Sequence, residues 1–307
     1  MDINQTIDVI VPCYNVERAL DRCIQSLITQ NYPKDKYHCF FINDASTDQT
    51  SKILESYKNH SELSIITHDV NKGLSATRNT GVNAGSADVI CFLDGDMEVQ
   101  HNWLKLFCSY LNQKNVSAVM GDNILPENSK CDEFENYYFS NLRGPRQFAD
   151  GERMPAKYLL FGNTAVSRKI ISEVGNFDES FKAYGGEDTD LAFRICMKYP
   201  ESFLFSKKIY SIHYHPRTLD SFLTSMNSYG KNNLPLLLKK YPQFKRELAG
   251  DWIRSFKGYL IFNPVLRLFI NIISSFISSY YLTRYKIVDT VISGARSKGN
   301  IKKSKKS

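Results

Sequence analysis

The sequence predicts an α/β fold: a Rossmann-like, mostly parallel sheet flanked by helices, with a C-terminal helical, membrane-associating appendage. Three observations predict it. Short apolar runs alternate with stretches of helical apolar period from Ile7 to Leu93, the pattern of βαβ units. Polar and charged residues gather just after the apolar runs, where such sheets bind ligands. Near the C-terminus a strongly apolar stretch, Gly258 to Leu282, leads into a basic tail.

In chain order, Ile7 to Val11 reads as a strand ending at Pro12, Cys13, Tyr14 and Asn15. A helix is expected over 16–30, with Ala19, Leu20, Ile24, Leu27 and Ile28 on one face and Asn15 as N-cap. Tyr37 to Ile42 is the second strand and ends at Asn43 and Asp44; a helix follows from Thr47 to Lys58. Leu63 to Thr67 is a third strand, and Asn71-Lys72-Gly73 opens a helix from Leu74 to Ala84. Asp88 to Leu93 is the fourth strand, and it stops at Asp94-Gly95-Asp96. A helix over Trp103 to Leu111 and a strand over Ala118 to Met120 come next. The region 122–157 is irregular, rich in aromatics and charge. Gly185 and Gly186 precede Glu187 and Asp188, which open a helix from Thr189 to Met197. A strand from Ile209 ends in His213 and His215, and a helix is expected from Ser221 to Lys240.

The acid pair sets the chemistry. Extended backbone places Asp94 and Asp96 on one side, as oxygen donors suited to Mg²⁺ or Mn²⁺. Such a cation would hold a diphosphate. The plainer reading is a turn with solvated acids, and Asp188-Thr189-Asp190 is a second pair of the same form. Asp44 can accept from a base N–H, Lys72 and Arg78 can neutralise phosphate, and Tyr14 can pack on a ring. Each has a structural alternative: an N-cap, a surface ion pair, a rim aromatic. Their shared position at strand ends favours a nucleotide ligand. Glu187 and Asp188 either cap their helix or supply a general base for a hydroxyl proton. No G-x-G-x-x-G follows the first strand and no G-x-x-x-x-G-K-[ST] is present, which argues against dinucleotide oxidoreductase and P-loop readings.

Composition narrows the setting. The formal charge is +7, and residues 284–307, with eight bases and one acid, account for all of it. The neutral body gives no argument for nucleic acid. Seven scattered cysteines without C-x-x-C spacing fit buried thiols in a reducing compartment. Met1 to Gln5 lacks a basic n-region, so a cytoplasmic enzyme body is expected.

Four stretches now stand in order: Val11-Pro12-Cys13-Tyr14-Asn15, 43–48, 71–81 and Phe92-Leu93-Asp94-Gly95-Asp96. Together with 160–166, 174–179 and 184–194, they resemble the motifs of glycosyltransferase family 2. That resemblance runs from about residue 7 to about residue 230, with Cys13 departing from the commoner Thr or Ser. It implies the GT-A fold and an inverting, metal-dependent transfer of one sugar from a nucleoside diphosphate sugar, with UDP the expected nucleotide. The acceptor would be a hydroxyl of a glycan or lipid-linked saccharide. By the same resemblance Asp188 is the catalytic base and Glu187 its catalytic partner. Pro12, Tyr14, Asn15, Asp44, Lys72, Arg78, Asp94, Gly186 and Glu187 would bind substrate. Asp94 and Asp96 would bind Mn²⁺ or Mg²⁺, with His213, or alternatively His215, as a third ligand.

The expected organisation is a GT-A domain over 1–220, with a donor half 1–121 and an acceptor half 122–220. A helical apolar region, 221–283, and a basic tail, 284–307, follow. Gly258 to Leu282 is expected to lie as an amphipathic helix in the plane of an anionic membrane, at the inner face of the cell membrane. The alternative is a helix packed on the domain or on a second copy. A processive synthase is not expected, because Q-x-x-R-W is absent. A nucleotidylyltransferase is not expected either, because its glycine-rich N-terminal loop is missing. The rival function is a catalytically inactive sugar-nucleotide-binding subunit of a membrane-associated glycan assembly complex.

Overall fold

The computed structural model describes residues 5–129, 132–214 and 217–304. Two compact units form: one from Met1–Ser129, Gly144–Glu179 and Glu187–His215, the other from Lys130–Arg143, Ser180–Gly186 and Pro216–Ser307. These are spatial units, whereas the partition at 121, 220 and 283 runs along the chain.

The first unit is built on strands β1 (Ile7–Cys13), β2 (Tyr37–Asn43), β3 (Leu63–Thr67), β4 (Val89–Leu93), β5 (Met97–Val99), β6 (Ala118–Ile124), β7 (Glu152–Arg153), β8 (Asn163–Ser167) and β9 (Phe203–His213). Among the described residues they pair in the order β3-β2-β1-β4-β8-β6-β9-β5, with β7 on β9. The pairs β3-β2, β2-β1 and β1-β4 are parallel. Beyond β4 the sheet is mixed: β8 is antiparallel to β4 and β6, while β6 and β9 run parallel. Helices Leu20–Ile28, Thr50–Ser56, Leu74–Ala84, Trp103–Leu111, Arg168–Val174 and Glu187–Lys198 complete the unit. Every residue of β1 and β4 is buried, as strands covered on both faces require. Leu20, Cys23, Ile24 and Leu27 form the buried stripe of the first helix.

Several element boundaries differ from the sequence reading. The first helix starts at Leu20, with Ala19 in the cap position, so Asn15 is not its N-cap. The amides that would begin a helix at 15–17 are taken instead. Asn15 N donates to Ser46 Oγ at 3.1 Å, Val16 N to Thr50 Oγ1 at 2.9 Å and Glu17 N to Asp48 Oδ2 at 3.1 Å. Asn15 itself has φ 54°, in the left-handed region that Asn tolerates. The helix after the two glycines begins at Glu187, not Thr189. The helix expected over 221–240 is two helices, Leu219–Asn232 and Leu234–Lys240, the second entered through Pro235.

In the second unit, helix Tyr280–Ser304 runs along helix Leu219–Asn232. Two glycines allow the approach. A Cβ on Gly230 would stand 2.1 Å from Val291 O, and one on Gly294 would stand 2.5 Å from Asn227 O. Phe134, Tyr137, Phe222 and Ile287 form its apolar centre. The apolar stretch 258–282 is not one helix. It is shared among Phe256–Ile261, Pro264–Ser274 and the start of Tyr280–Ser304. Asn263 makes the first break, its Oδ1 accepting from Val265 N and Leu266 N at 3.0 Å each, with Pro264 in the first turn. Among the described residues no helix is long and apolar enough to cross a membrane.

Candidate active site

The carboxyl ends of β1, β2 and β4 bring the first, second and fourth motifs side by side, because the parallel register pairs Cys13 with Asn43 and Ile10 with Phe92. Gly95 is buried between them. A Cβ there would lie 3.1 Å from Pro12 O, so this glycine serves the close packing of two strand ends. Pro12 is buried, while Tyr14, 50% exposed, and Asn15 face solvent. Asn15 Oδ1 accepts from Thr47 N at 2.8 Å, tying the first motif to the second.

Arg78 is the centre of the cluster. It is 1% exposed. Its Nη1 donates to Asp188 Oδ1 at 2.7 Å and its Nη2 to Asp94 Oδ1 at 3.2 Å. Glu187 Oε1 lies 4.0 Å from Nη1. The guanidinium stands 5.2 Å from the ring centre of Phe177, which packs edge-to-face with Phe92 and Phe161. Its Nε is buried and has no hydrogen-bond partner among the described residues. Asp188 Oδ2 accepts from Phe161 N at 3.2 Å, so both of its oxygens are held. A Cβ on Gly162 would lie 2.5 Å from Asp94 Oδ2; the missing side chain makes room for that carboxylate. Burial, and then the neighbouring Asp188 charge, push the Glu187 carboxyl up to about 7, with Arg78 opposing.

Asp96 meets a different partner. The antiparallel β5–β9 register pairs Met97 with His213, and Tyr214 N donates to Asp96 O at 3.0 Å. His213 Nε2 and Asp96 Oδ2 therefore stand 3.2 Å apart. His215, the alternative ligand, lies outside the described residues. Among the described residues no group of three or more His, Cys, Asp or Glu is gathered as a metal cluster.

Asp44 is buried at 3% exposure and turned into the protein. Its Oδ1 faces His68 Nδ1 at 2.7 Å and accepts from Lys72 N at 2.8 Å, and its Oδ2 accepts from Gly73 N at 2.9 Å. Burial works to raise this carboxyl, but the bonds from His68 and the two amides outweigh it and leave it below the usual range. His68 Nε2 in turn faces Thr80 Oγ1 at 2.9 Å. Lys72 itself is exposed. Gly186 belongs to the second unit, with φ 102° and packed on Asn233 and Phe181.

The sequence reading missed His68, the three phenylalanines and the spacing role of Gly162. His68 directly follows the third strand, a position equivalent to that of Asp44, and this was the available signal. Phe161 and Gly162 sit in a stretch already marked, but only their fold neighbours reveal what they touch.

A half-parallel sheet with acids and a buried arginine at its strand ends defines an α/β protein that handles ligands beyond the carboxyl edge. The family model described as Glycosyl transferase family 2 matches residues 8–175, and the chain belongs to that family. It is 28% identical to glycosyltransferase AglE of Haloferax volcanii over 173 residues, 56% of this chain and 55% of that protein. The chain spans about half the length or less of curated relatives such as this one. Among solved structures, the mannosyltransferase PcManGT from Pyrobaculum calidifontis in complex with GDP-Man and Mn²⁺ superposes with a TM-score of 0.66. That match has 16% identity and covers 97% of this chain and 89% of that one. S. aureus TarS 1–349 in complex with UDP gives 0.55 at 16% identity, covering 95% and 90%. At this identity the two structures establish the fold, which is the GT-A arrangement.

Proposed function

We propose that the chain is an inverting, metal-dependent glycosyltransferase that moves one sugar from a nucleoside diphosphate sugar to a hydroxyl of a glycan or lipid-linked acceptor. UDP is the first nucleotide to test. The observation that carries the reading is the Arg78 guanidinium, which joins Asp94 of the strand-end motif to Asp188 of the helix N-terminus at 3.2 and 2.7 Å. Two carboxylates 94 positions apart in sequence thereby share one site.

In this reading Asp188 takes the proton of the acceptor hydroxyl. The acceptor oxygen attacks the anomeric carbon while the bond from that carbon to the diphosphate oxygen breaks, its electron pair leaving with the diphosphate. Attack from the opposite face inverts the anomeric centre. Phe161 N–H and Arg78 fix the orientation of Asp188 before the acceptor arrives. Glu187, with its carboxyl near 7, can donate or accept a hydrogen bond to a sugar hydroxyl at neutral pH. Asp44, spent on the 71–73 loop, acts on the nucleotide pocket by shaping it, with Lys72 at its exposed edge and Tyr14 and Asn15 beside it. Gly186 supplies the left-handed turn that leads into Glu187.

Asp96 and His213 offer an oxygen and a nitrogen side by side, with Asp94 on the same turn. This donor set fits a divalent cation that takes its other ligands from phosphate and water. Such a cation, Mn²⁺ or Mg²⁺, would neutralise charge on the leaving diphosphate. The proposed catalytic part is 1–220, divided at 121. Six described cysteines are free thiols, five of them buried, which supports a reducing, cytoplasmic setting; the proposed location there is the inner face of the cell membrane.

The test is a pair of variants. Asp188→Asn should keep donor binding and lose transfer by roughly two to four orders of magnitude, the range for a general base. Asp96→Ala should bind nucleotide without metal dependence. Turnover of Asp188→Asn within a few-fold of wild type would overturn the base assignment.

A further inference from the structure

The helix Pro264–Ser274 is built inside out. Val265, Leu268, Phe269 and Ile272 follow the i, i+3, i+4, i+7 spacing of one face, and they are 67, 61, 59 and 51% exposed. The one charged residue of the helix points the other way. Arg267 donates to Asp289 Oδ2 at 2.5 Å, to Asp289 Oδ1 at 3.1 Å and to Ser293 Oγ at 2.6 Å. A helix that meets water arranges its polarity in the opposite sense. The apolar surface continues beyond both ends, with Phe256 78% and Phe276 84% exposed. Twelve of the 22 large apolar side chains exposed among the described residues lie between Phe256 and Tyr281. That concentration marks a docking face, because ordinary surfaces scatter such residues singly.

Charge selects the occupant. From Trp252 to Val288 the sequence has no acid and five bases, Arg254, Lys257, Arg267, Arg284 and Lys286. Arg267 is paired with Asp289, and Lys286 stands 3.5 Å from Glu133. Arg254, Lys257 and Arg284 are exposed. In a two-fold contact through this stretch, the second copy would present the same acid-free sequence and offer these cations no carboxylate. An anionic lipid surface complements both the apolar side chains and the charge.

We propose that this face lies flat on an anionic bilayer, with Leu268, Phe269, Ile272 and Phe276 at the acyl boundary and Arg254, Lys257 and Arg284 among the headgroups. Eleven residues of helix rise only about 16 Å, against roughly 30 Å of hydrocarbon, so the helix lies in the plane. The face is held ready without lipid. Arg296 donates to the carbonyls of Ile253 and Phe262 at 2.7 and 2.6 Å, and Arg267 straps the helix to Asp289. Arg296 is thus structural, although it belongs to the basic tail. The proposal does not depend on the catalytic reading, and its test reads no activity.

The full chain is co-sedimented with phosphatidylcholine vesicles and with vesicles containing about 30% phosphatidylglycerol, at about 0.1 M salt. Partitioning should be about tenfold or more stronger on the anionic vesicles. The double variant Leu268→Glu, Phe269→Glu should lower it at least about tenfold while melting as wild type does, since both side chains are exposed. Arg254→Gln, Lys257→Gln and Arg284→Gln together should remove most of the anionic preference. No binding to anionic vesicles would overturn the proposal, as would undiminished binding by the double variant. So would a wild-type dimer that ignores vesicles and that the double variant dissociates.

Discussion

Replacing Arg78 with Met removes the guanidinium and keeps most of the volume. The residue is 1% exposed and within 3.2 Å of two carboxylates, with Glu187 at 4.0 Å. Removing one partner of a buried ion pair costs about 3–5 kcal/mol, because the other charge stays behind uncompensated. Here the side chains of Asp94 and Asp188 are 38% and 14% exposed, so water relieves part of the penalty. The low end, about 3 kcal/mol, is the expected loss. At about 1.5 °C per kcal/mol for a chain of 307 residues, Tm falls by about 5 °C near pH 8. The loss should depend on pH. Without Arg78 the three acids repel one another and hold protons more tightly, so protonation relieves the variant as pH falls. Thermal melts of both proteins from about pH 5 to pH 8 measure this directly. A Tm drop under about 2 °C near pH 8, or an equal drop at every pH, would refute the shared-counter-ion account.

Glu187→Gln probes the same cluster with the opposite sign. The Glu187 carboxyl moves from 4.5 to about 7 on folding, so the stability it lends is full below about 4.5 and is lost as pH rises through about 7. The Gln variant should therefore gain Tm on wild type as pH rises from 5 to 8; a constant difference would contradict the burial of that charge. In Gly162→Ala the new Cβ must displace the Asp94 carboxylate from a 2.5 Å approach. Since a side-chain tip can move, Tm should change by less than about 3 °C while nucleotide affinity falls about tenfold or more. Unchanged affinity by calorimetry would show that the position of Asp94 does not matter to the ligand.

The parallel half of the fold, β1 to β4, was legible because its central strands β1 and β4 are buried throughout and stand out as apolar runs. The antiparallel half was harder. β5 has three residues, and β8 carries a buried asparagine where an apolar residue is expected. Asn163 fits there only because Trp103 Nε1 donates to its Oδ1 at 2.9 Å and its Nδ2 donates to Asp122 O at 2.9 Å. Periodicity cannot show a partner so far along the chain. The same holds at the site. Arg78, Asp94, Asp188 and His213 each stood out in sequence, but the ion pair from Arg78 to Asp188 crosses 110 residues. Asn15 was readable as a polar strand end and not as a left-handed residue, because its amide is claimed by Ser46 of the next motif. In the C-terminal stretch, Asn263, Pro264 and the serines at 274–275 and 278–279 were legible as interruptions of the apolar run, but not the pairing of Arg267 with Asp289, 22 positions along the chain.

The central claim is that this cluster binds a nucleoside diphosphate sugar with a divalent cation. It is tested most directly by thermal shift of the wild type and Asp96→Ala against UDP-, GDP-, ADP- and TDP-sugars, with and without Mn²⁺. Ligand bound only by the folded state raises Tm. The account predicts a metal-dependent rise for one nucleotide class in the wild type, and no metal-dependent rise in Asp96→Ala. A folded wild type that shifts with none of them, or an Asp96→Ala protein that keeps the full Mn²⁺-dependent rise, would contradict it.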